Sequence, residues 1–126
     1  MTITTKTVTV SYQMKIDPAR LQPAIDFIAD NYHQNPLLAE IASTCGMSKY
    51  HFLRVYKMTF GNTPRAAVFA LQIQEAKRLL LCGEKLDNIA RAIGFASASH
   101  FCNRFRKEVG MTPGKWREQQ GKEVKS

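Results

Sequence analysis

The sequence predicts an all-α protein of about seven helices, in which two copies of one helical unit are joined by a long linker helix. Three observations support this fold class. Apolar residues recur at helical spacing from residue 17 onward, and glycine and proline interrupt that spacing at similar places in both halves. The pattern of about residues 37–60 then recurs at about residues 86–109.

The first 20 residues are predicted to form an N-terminal tail. Residues 1–16 alternate Thr or Lys with Ile, Val or Tyr, which indicates an extended segment, an edge strand or a linker remnant. Asp17 and Pro18 then predict the start of a helix, as its N-cap and its first helical residue. Asn35-Pro36 predicts where that helix stops.

Three helices are predicted between residues 37 and 82. A short helix covers residues 37–44, and a turn centred on Gly46 follows it. Ser48 caps a helix that runs to about Phe60. Thr63-Pro64 opens the long linker helix over residues 64–82. The residues expected to be buried on that helix include Ala67, Leu71, Ala76, Leu79 and Leu80.

The second half repeats the first, with a short helix at 86–93, a turn at Gly94, a helix at 97–109 and a last helix opened by Thr112-Pro113. A C-terminal tail is expected at 120–126. A dozen positions align with one residue inserted in the second turn. The aligned pairs are Leu38 and Leu86, Ile41 and Ile89, Ala42 and Ala90, Gly46 and Gly94, Ser48 and Ser97, His51 and His100, Phe52 and Phe101, Tyr56 and Phe105, Lys57 and Arg106, Gly61 and Gly110, Thr63 and Thr112, and Pro64 and Pro113.

Each copy has the layout of a helix-turn-helix. Ala42 and Ala90 stand where two helices cross closely, because a larger side chain would push them apart. Gly46 and Gly94 follow four residues later, where the short helix has to end. Two such units in register, each with a basic second helix, indicate a double helix-turn-helix protein.

The charge of the chain favours an anionic partner. The formal net charge is +8, from 18 Lys and Arg against 10 Asp and Glu. Residues 1–62 carry six basic and four acidic residues, a net +2, whereas residues 63–126 carry twelve and six, a net +6. Such a surface suits a phosphate backbone, although a solvated helix face would show a similar composition.

Several other classes of protein are disfavoured. Three cysteines without a CxxC pair indicate neither a disulfide scaffold nor a zinc site, and they favour a cytoplasmic location. No apolar run is long enough to span a membrane, and the N-terminus lacks the layout of a signal peptide. An enzyme is not expected, and neither a cofactor nor a metal is predicted. The only candidate catalytic groups are Cys45, Cys82 and Cys102 with His33, His51 and His100, and these do not converge in the pattern.

Helical spacing predicts which side chains of the second helices face outward. On helix 48–60 these are Lys49, Tyr50, Leu53, Arg54 and Lys57, and on helix 97–109 they are Ser99, Cys102, Asn103, Arg106 and Lys107. Arg and Asn can engage guanine and adenine edges with two hydrogen bonds, and flanking Lys and Arg suit phosphates.

The sequence resembles the AraC/XylS family of bacterial transcription regulators from about residue 21 to residue 119. The segments that carry the resemblance are 38–48, 56–64, 76–81, 89–95 and 99–117, the last of which resembles the family signature. The resemblance implies an AraC-type double helix-turn-helix domain with helices 48–60 and 97–109 as recognition helices. It further implies an activator that binds double-stranded DNA and contacts RNA polymerase in the cytoplasm, associated with the nucleoid.

The resemblance also implies roles for individual residues. Base-reading roles fall on Tyr50, Leu53, Arg54, Ala98, Ser99, Cys102 and Asn103. Phosphate contacts are expected of Lys49, Lys57, Arg91, Arg104, Arg106 and Lys107. The chain is similar either to the small stand-alone members, which bind DNA as monomers, or to the excised C-terminal domain of a longer regulator.

Three departures from the family pattern are informative. Leu53 stands where a polar reader is common, so a contact with a thymine methyl is expected instead. Ala98, Ser99 and Cys102 are short, which predicts few base contacts from the second helix. Gln72 stands where the family often has an arginine on the linker helix.

Two alternative functions remain open at this point. Cys102 is flanked by Arg104 and Arg106, which would lower the pKa of a thiol and suit a redox-responsive regulator. A non-specific nucleic-acid-binding module would also explain the charge, although no RNA-binding motif is present.

Overall fold

The computed structural model describes residues 17–125 and confirms the all-α class. These residues form seven α-helices, with a 3-10 turn at Pro18–Leu21 before the first and another at Tyr32–Gln34 after it. The helices are α1 (Gln22–Asn31), α2 (Leu38–Ser43), α3 (Lys49–Phe60), α4 (Pro64–Leu81), α5 (Leu86–Ile93), α6 (Ala98–Val109) and α7 (Pro113–Lys125). The extended segment predicted at residues 1–16 lies outside the described residues.

The predicted helix starts are correct at both ends of the chain, but the conformations differ in detail. Asp17 caps the first turn, since its Oδ1 accepts a hydrogen bond from the Ala19 N–H at 3.0 Å, and that turn is 3-10 before it becomes α-helical. At the other end, α7 continues through Lys125 into the region predicted as a tail. Gly121 is the one strongly helix-disfavouring residue there, and a single glycine, which costs about 1 kcal/mol relative to alanine, does not stop the helix.

The chain divides into two compact units. Among the described residues, the first unit comprises 17–31 and 36–68, and the second comprises 32–35 and 69–125. The long helix α4 therefore contributes residues 64–68 to the first unit and residues 69–81 to the second. The turn Tyr32–Gln34 belongs to the second unit although it follows α1 in the chain.

In the first unit, α2 packs on α3, and α1 packs on α2. The side chains buried there come from these three helices, the 3-10 turn before them, Pro36 and the start of α4. They are Leu21, Ala24, Ile28, Pro36, Ile41, Ala42, Phe52, Val55, Tyr56, Pro64 and Val68. Ala42 is fully buried, as expected of a small residue at a close helix crossing.

In the second unit, α5 packs on α6 and α6 packs on α7. The buried apolar cluster consists of Phe69, Ile73, Ala76, Leu80, Ile89, Ala90, Ile93, Phe101 and Phe105. On α4 the prediction is correct for Ala76 and Leu80, whereas Ala67, Leu71 and Leu79 are only half-buried. The buried stripe runs instead through Val68, Gln72, Ala76 and Leu80, which are spaced four residues apart, with Phe69 and Ile73 beside it.

The sequence repeat extends to the hydrogen bonds at the helix ends. Ser48 Oγ accepts a hydrogen bond from the His51 N–H at 3.3 Å, and Ser97 Oγ accepts one from the His100 N–H at 3.1 Å. At the opposite ends, Gly61 and Gly110 adopt the left-handed conformation that closes α3 and α6. Both second helices therefore begin and end by the same local chemistry.

Candidate nucleic-acid interface

Helix α3 presents long polar side chains on its outer face. Tyr50 is 71% exposed, and the Lys49 ammonium lies 5.3 Å from the centre of its ring. Arg54 and Lys57, one turn apart on the helix, are exposed as predicted. All four side chains are therefore exposed to solvent, as the helical spacing predicted.

Leu53 differs from the other predicted readers of α3, because it is half-buried. It lines a cavity of about 280 Å³ in the first unit, together with Ile41, Pro64 and Val68. Helical spacing predicted the face of α3 on which Leu53 lies, but it did not predict that apolar residues of α2 and α4 flank that side of the helix. Part of its apolar side chain therefore lies among protein atoms.

Helix α6 presents a different surface. Ser99, Asn103, Arg106 and Lys107 are exposed, whereas Ala98 is half-buried. Asn103 is the longest uncharged polar side chain on this face, and the two cations follow it on the last turn of the helix. The helix therefore carries short or uncharged groups in its first turns and positive charge near its end.

Cys102 is not the activated thiol that its arginine neighbours suggested. It is half-buried and packs against the apolar cluster of the second unit. Burial raises the pKa of the Cys102 thiol, and the carboxylate of Asp87 raises it further. The expectation of a lowered pKa is wrong, because burial and a nearby carboxylate disfavour the thiolate.

Arg104, predicted to contact phosphate, also makes a contact within the protein. Its guanidinium lies 4.2 Å from the centre of the Phe69 ring, a cation–π contact within the second unit, and the residue is half-buried. The arginine thus serves packing, with part of its surface still in solvent. Arg91 is exposed on α5 and makes a long contact of 3.5 Å with Asn88 Oδ1.

The predicted DNA-contacting cations form no ion pairs with the described carboxylates. Among the described residues, the ion pair present joins Arg78 and Glu75 at 2.6 Å. Cations without carboxylate partners can release counterions from DNA when they meet phosphates.

Gln72, which stands where the family often has an arginine on the linker helix, is buried. It is 1% exposed and donates hydrogen bonds inside the second unit. A signal for this burial is present in the sequence, because Gln72 lies four residues from both Val68 and Ala76 on the apolar stripe of α4.

The described part of the chain contains neither a metal-binding cluster nor a membrane-spanning helix. Across residues 17–125, no group of three or more His, Cys, Asp and Glu side chains is arranged to hold a metal ion. In the same part of the chain, none of the helices combines the length and the apolar character needed to cross a membrane.

Comparison with known proteins identifies the family. A family model described as a helix-turn-helix domain matches residues 41–119. The virulence regulon transcriptional activator VirF of Yersinia enterocolitica is 34% identical over 92 residues, which cover 72% of this chain and 34% of VirF. The chain spans between 30% and 60% of the length of three further curated relatives.

Solved structures agree with this match. A transcriptional regulator with an AraC-type DNA-binding domain from Chromobacterium violaceum superposes with a TM-score of 0.73 at 26% identity, over 81% of this chain and 92% of that one. The DNA-binding domain of AdpA, solved in complex with a target DNA, has the same fold, with a TM-score of 0.72 at 23% identity over 79% of this chain and 90% of its own. The sequence repeat, the helical architecture and the family match lead to one conclusion: the chain belongs to the AraC family of helix-turn-helix DNA-binding transcriptional regulators.

Proposed function

We propose that this chain is a sequence-specific regulator of transcription that inserts α3 and α6 into successive segments of the major groove. The observation that carries the proposal is the repeated unit, in which two second helices with the same caps both present exposed polar and cationic side chains. An α-helix fits the major groove, where every base pair offers a distinct pattern of donors and acceptors.

The residue roles follow from exposure and chemistry. Arg54 and Asn103 are the side chains that can make paired hydrogen bonds with guanine and adenine, respectively, and Tyr50 and Ser99 offer single hydroxyl groups. Lys49, Lys57, Arg91, Arg106 and Lys107, with the partly exposed Arg104, contact phosphates, which fix the position of the protein along the duplex. Leu53, Ala98 and Cys102 contribute chiefly shape and apolar contact to this surface, because they are half-buried.

We expect two contact sites on one face of the DNA, one for each second helix. One turn of B-DNA is about 34 Å, which is the separation that two recognition helices on one face have to bridge. A single chain with two reading helices needs no symmetric partner, so we propose that it binds as a monomer.

The proposal extends to transcription activation through contact with RNA polymerase, in the cytoplasm and on the nucleoid. VirF, which is 34% identical over the matched region, is named as a transcriptional activator. The matched region is the DNA-binding part of such proteins, and activation therefore needs its own test, a promoter fusion with and without the protein.

The DNA-binding proposal is tested by selecting sites from random duplex DNA and footprinting the complex. We expect an enriched sequence with two protected patches about one helical turn apart on one face of the duplex. A single protected patch of about 5 base pairs would contradict insertion of two helices. Failure to enrich any sequence, with binding that depends only on salt, would instead indicate a non-specific nucleic-acid-binding module.

A further inference from the structure

The second unit contains a buried polar side chain that DNA binding leaves unexplained. Gln72 lies on the apolar stripe of α4 and is 1% exposed. Its Nε2 donates hydrogen bonds to Asn35 Oδ1 at 2.7 Å and to the Ile93 carbonyl at 2.9 Å, with the Tyr32 carbonyl at 3.3 Å. A buried amide is costly unless its hydrogen bonds are made, so this arrangement strongly favours one geometry of its partners.

Asn35 joins the same network from the segment that follows α1. Its backbone has a φ of 51°, in the left-handed region that asparagine tolerates better than most residues. Its side chain receives the hydrogen bond from Gln72 through Oδ1 and donates through Nδ2 to the carbonyl of Gly94. The two amides together therefore bind two successive carbonyls, those of Ile93 and Gly94.

Those carbonyls lie at the turn that leads into the second recognition helix. Ile93 ends α5, Gly94 is the left-handed residue after it, and Ser97 caps α6 three residues later. A Cβ added to Gly94 would overlap the carbonyl oxygen of His33 and lie 3.2 Å from Asn35 Nδ2. The backbone of residues 33–35 thus lies directly against this turn.

We propose that Gln72 and Asn35 are positioning residues for α6, and that residues 32–35 act with Gln72 as a clip that holds the turn before it. The inference rests on the proposed function, because its consequence is measured on DNA. With the clip intact, the first turn of α6, which carries Ala98 and Ser99, has one orientation. Without it, the two turn carbonyls lose their partners and the helix start becomes variable, which weakens contacts that need defined geometry.

The test compares variants on two operators, one intact and one with a scrambled half-site under α6. Gln72→Leu keeps a similar volume but removes the amide, and Asn35→Gly retains the left-handed backbone while removing the side chain. Gln74→Leu is the matched control, because Gln74 is an exposed glutamine on the same helix.

We expect Gln72→Leu and Asn35→Gly to bind the intact operator about tenfold more weakly than wild type, a change of about 1.4 kcal/mol. On the half-scrambled operator both should equal wild type, and Gln74→Leu should equal wild type on both. The inference is overturned if the two clip variants lose affinity equally on both operators, or lose none on either.

A second readout needs no DNA and covers the case in which Gln72→Leu does not fold. Amide hydrogen exchange in Asn35→Gly should quicken at His100 and Phe101, at the start of α6, while the matching amides His51 and Phe52 of α3 stay at wild-type rates. Unchanged exchange at the start of α6 would overturn the clip. If the wild-type affinity does not depend on the half-site under α6, the proposed function fails. The amide exchange rates at the start of α6 then still test whether the clip exists.

Discussion

The two repeated units share their caps but differ in what surrounds the turn between their helices. Gly46 and Gly94 align in the sequence and both have positive φ, 67° and 97°. A Cβ on Gly46 would have no atom within 4 Å, whereas a Cβ on Gly94 would collide with the backbone of residue 33. The two turns therefore share a local conformation, but only the turn at Gly94 is packed against another segment, residues 33–35.

The two second helices, α3 and α6, differ in a further way. Helix α3 exposes Tyr50 and Arg54, whereas the aligned positions of α6 carry the shorter side chains of Ser99 and Asn103. The half of the chain that contains α6 carries a net +6, against +2 for the half that contains α3. We infer that α3 supplies most of the base discrimination and that α6 supplies most of the sequence-independent affinity for DNA.

The largest expected effect concerns the two turn glycines. Gly94→Ala should destabilise the protein by about 2–5 kcal/mol, because a left-handed alanine is strained and its Cβ also overlaps a backbone carbonyl. Gly46→Ala should cost only the conformational part, about 1–2 kcal/mol. Urea denaturation of both variants measures the difference, and equal losses would show that the two turns are equivalent after all.

The next effect sharpens the division of roles on DNA. Arg54→Ala should weaken specific binding by about 1–3 kcal/mol and relax the base preference at one position. Lys57→Ala and Arg106→Ala should weaken all DNA about equally and reduce the salt dependence, since each removes about one phosphate contact. Titrations on specific and random duplexes at several salt concentrations separate these classes. Equal loss for Arg54→Ala on both duplexes would reassign it to phosphate contact.

The helix caps are where the two units should behave alike. Ser48→Ala and Ser97→Ala should each cost about 1 kcal/mol, because each removes one acceptor for an N-terminal backbone N–H. Thermal unfolding of the two variants checks the equality. A loss of stability in only one of the two variants would mean that the Ser48 and Ser97 caps contribute unequally to stability.

The smallest effect is the pH response of Cys102. The pKa of the Cys102 thiol is raised in the folded protein, so folding favours the protonated thiol. The contribution of this thiol to the stability of the folded state is therefore complete below the pKa of an exposed thiol and is lost as the pH rises through the folded pKa. At neutral pH an alkylating reagent should therefore modify the exposed Cys82 well before Cys102, as followed by peptide mass spectrometry. Faster modification of Cys102 would restore the redox alternative.

Much of this architecture was predictable because its determinants are local. Asp17, Ser48 and Ser97 cap helices through neighbours two or three residues away, and helical periodicity located Phe52 and Phe101 in the core. The exposure of Tyr50, Arg54 and Asn103 followed from the same periodicity. Local chemistry thus sufficed for the helices and for most of the predicted surface.

The remaining features depend on contacts between distant parts of the chain. Gln72 and Asn35 are 37 residues apart, so their hydrogen bond has no local signature. The burial of Cys102 against the apolar cluster of the second unit and the contact of Arg104 with Phe69 of α4 likewise join residues that are distant in the sequence, which helical spacing alone does not predict. Because the raised pKa of Cys102 results from this burial, the sequence pattern alone predicts the wrong direction of the shift.

The central claim is the unequal division of labour between α3 and α6, and a binding-energy profile across every single-base change in the selected operator tests it most directly. Steps of about 1–3 kcal/mol should cluster in the half-site under α3, with a flatter profile under α6 in which Asn103 supports one adenine preference. Arg54→Ala and Asn103→Ala assign each half-site to its helix. A profile that is steeper under α6 than under α3 would contradict the claim and reverse the two roles.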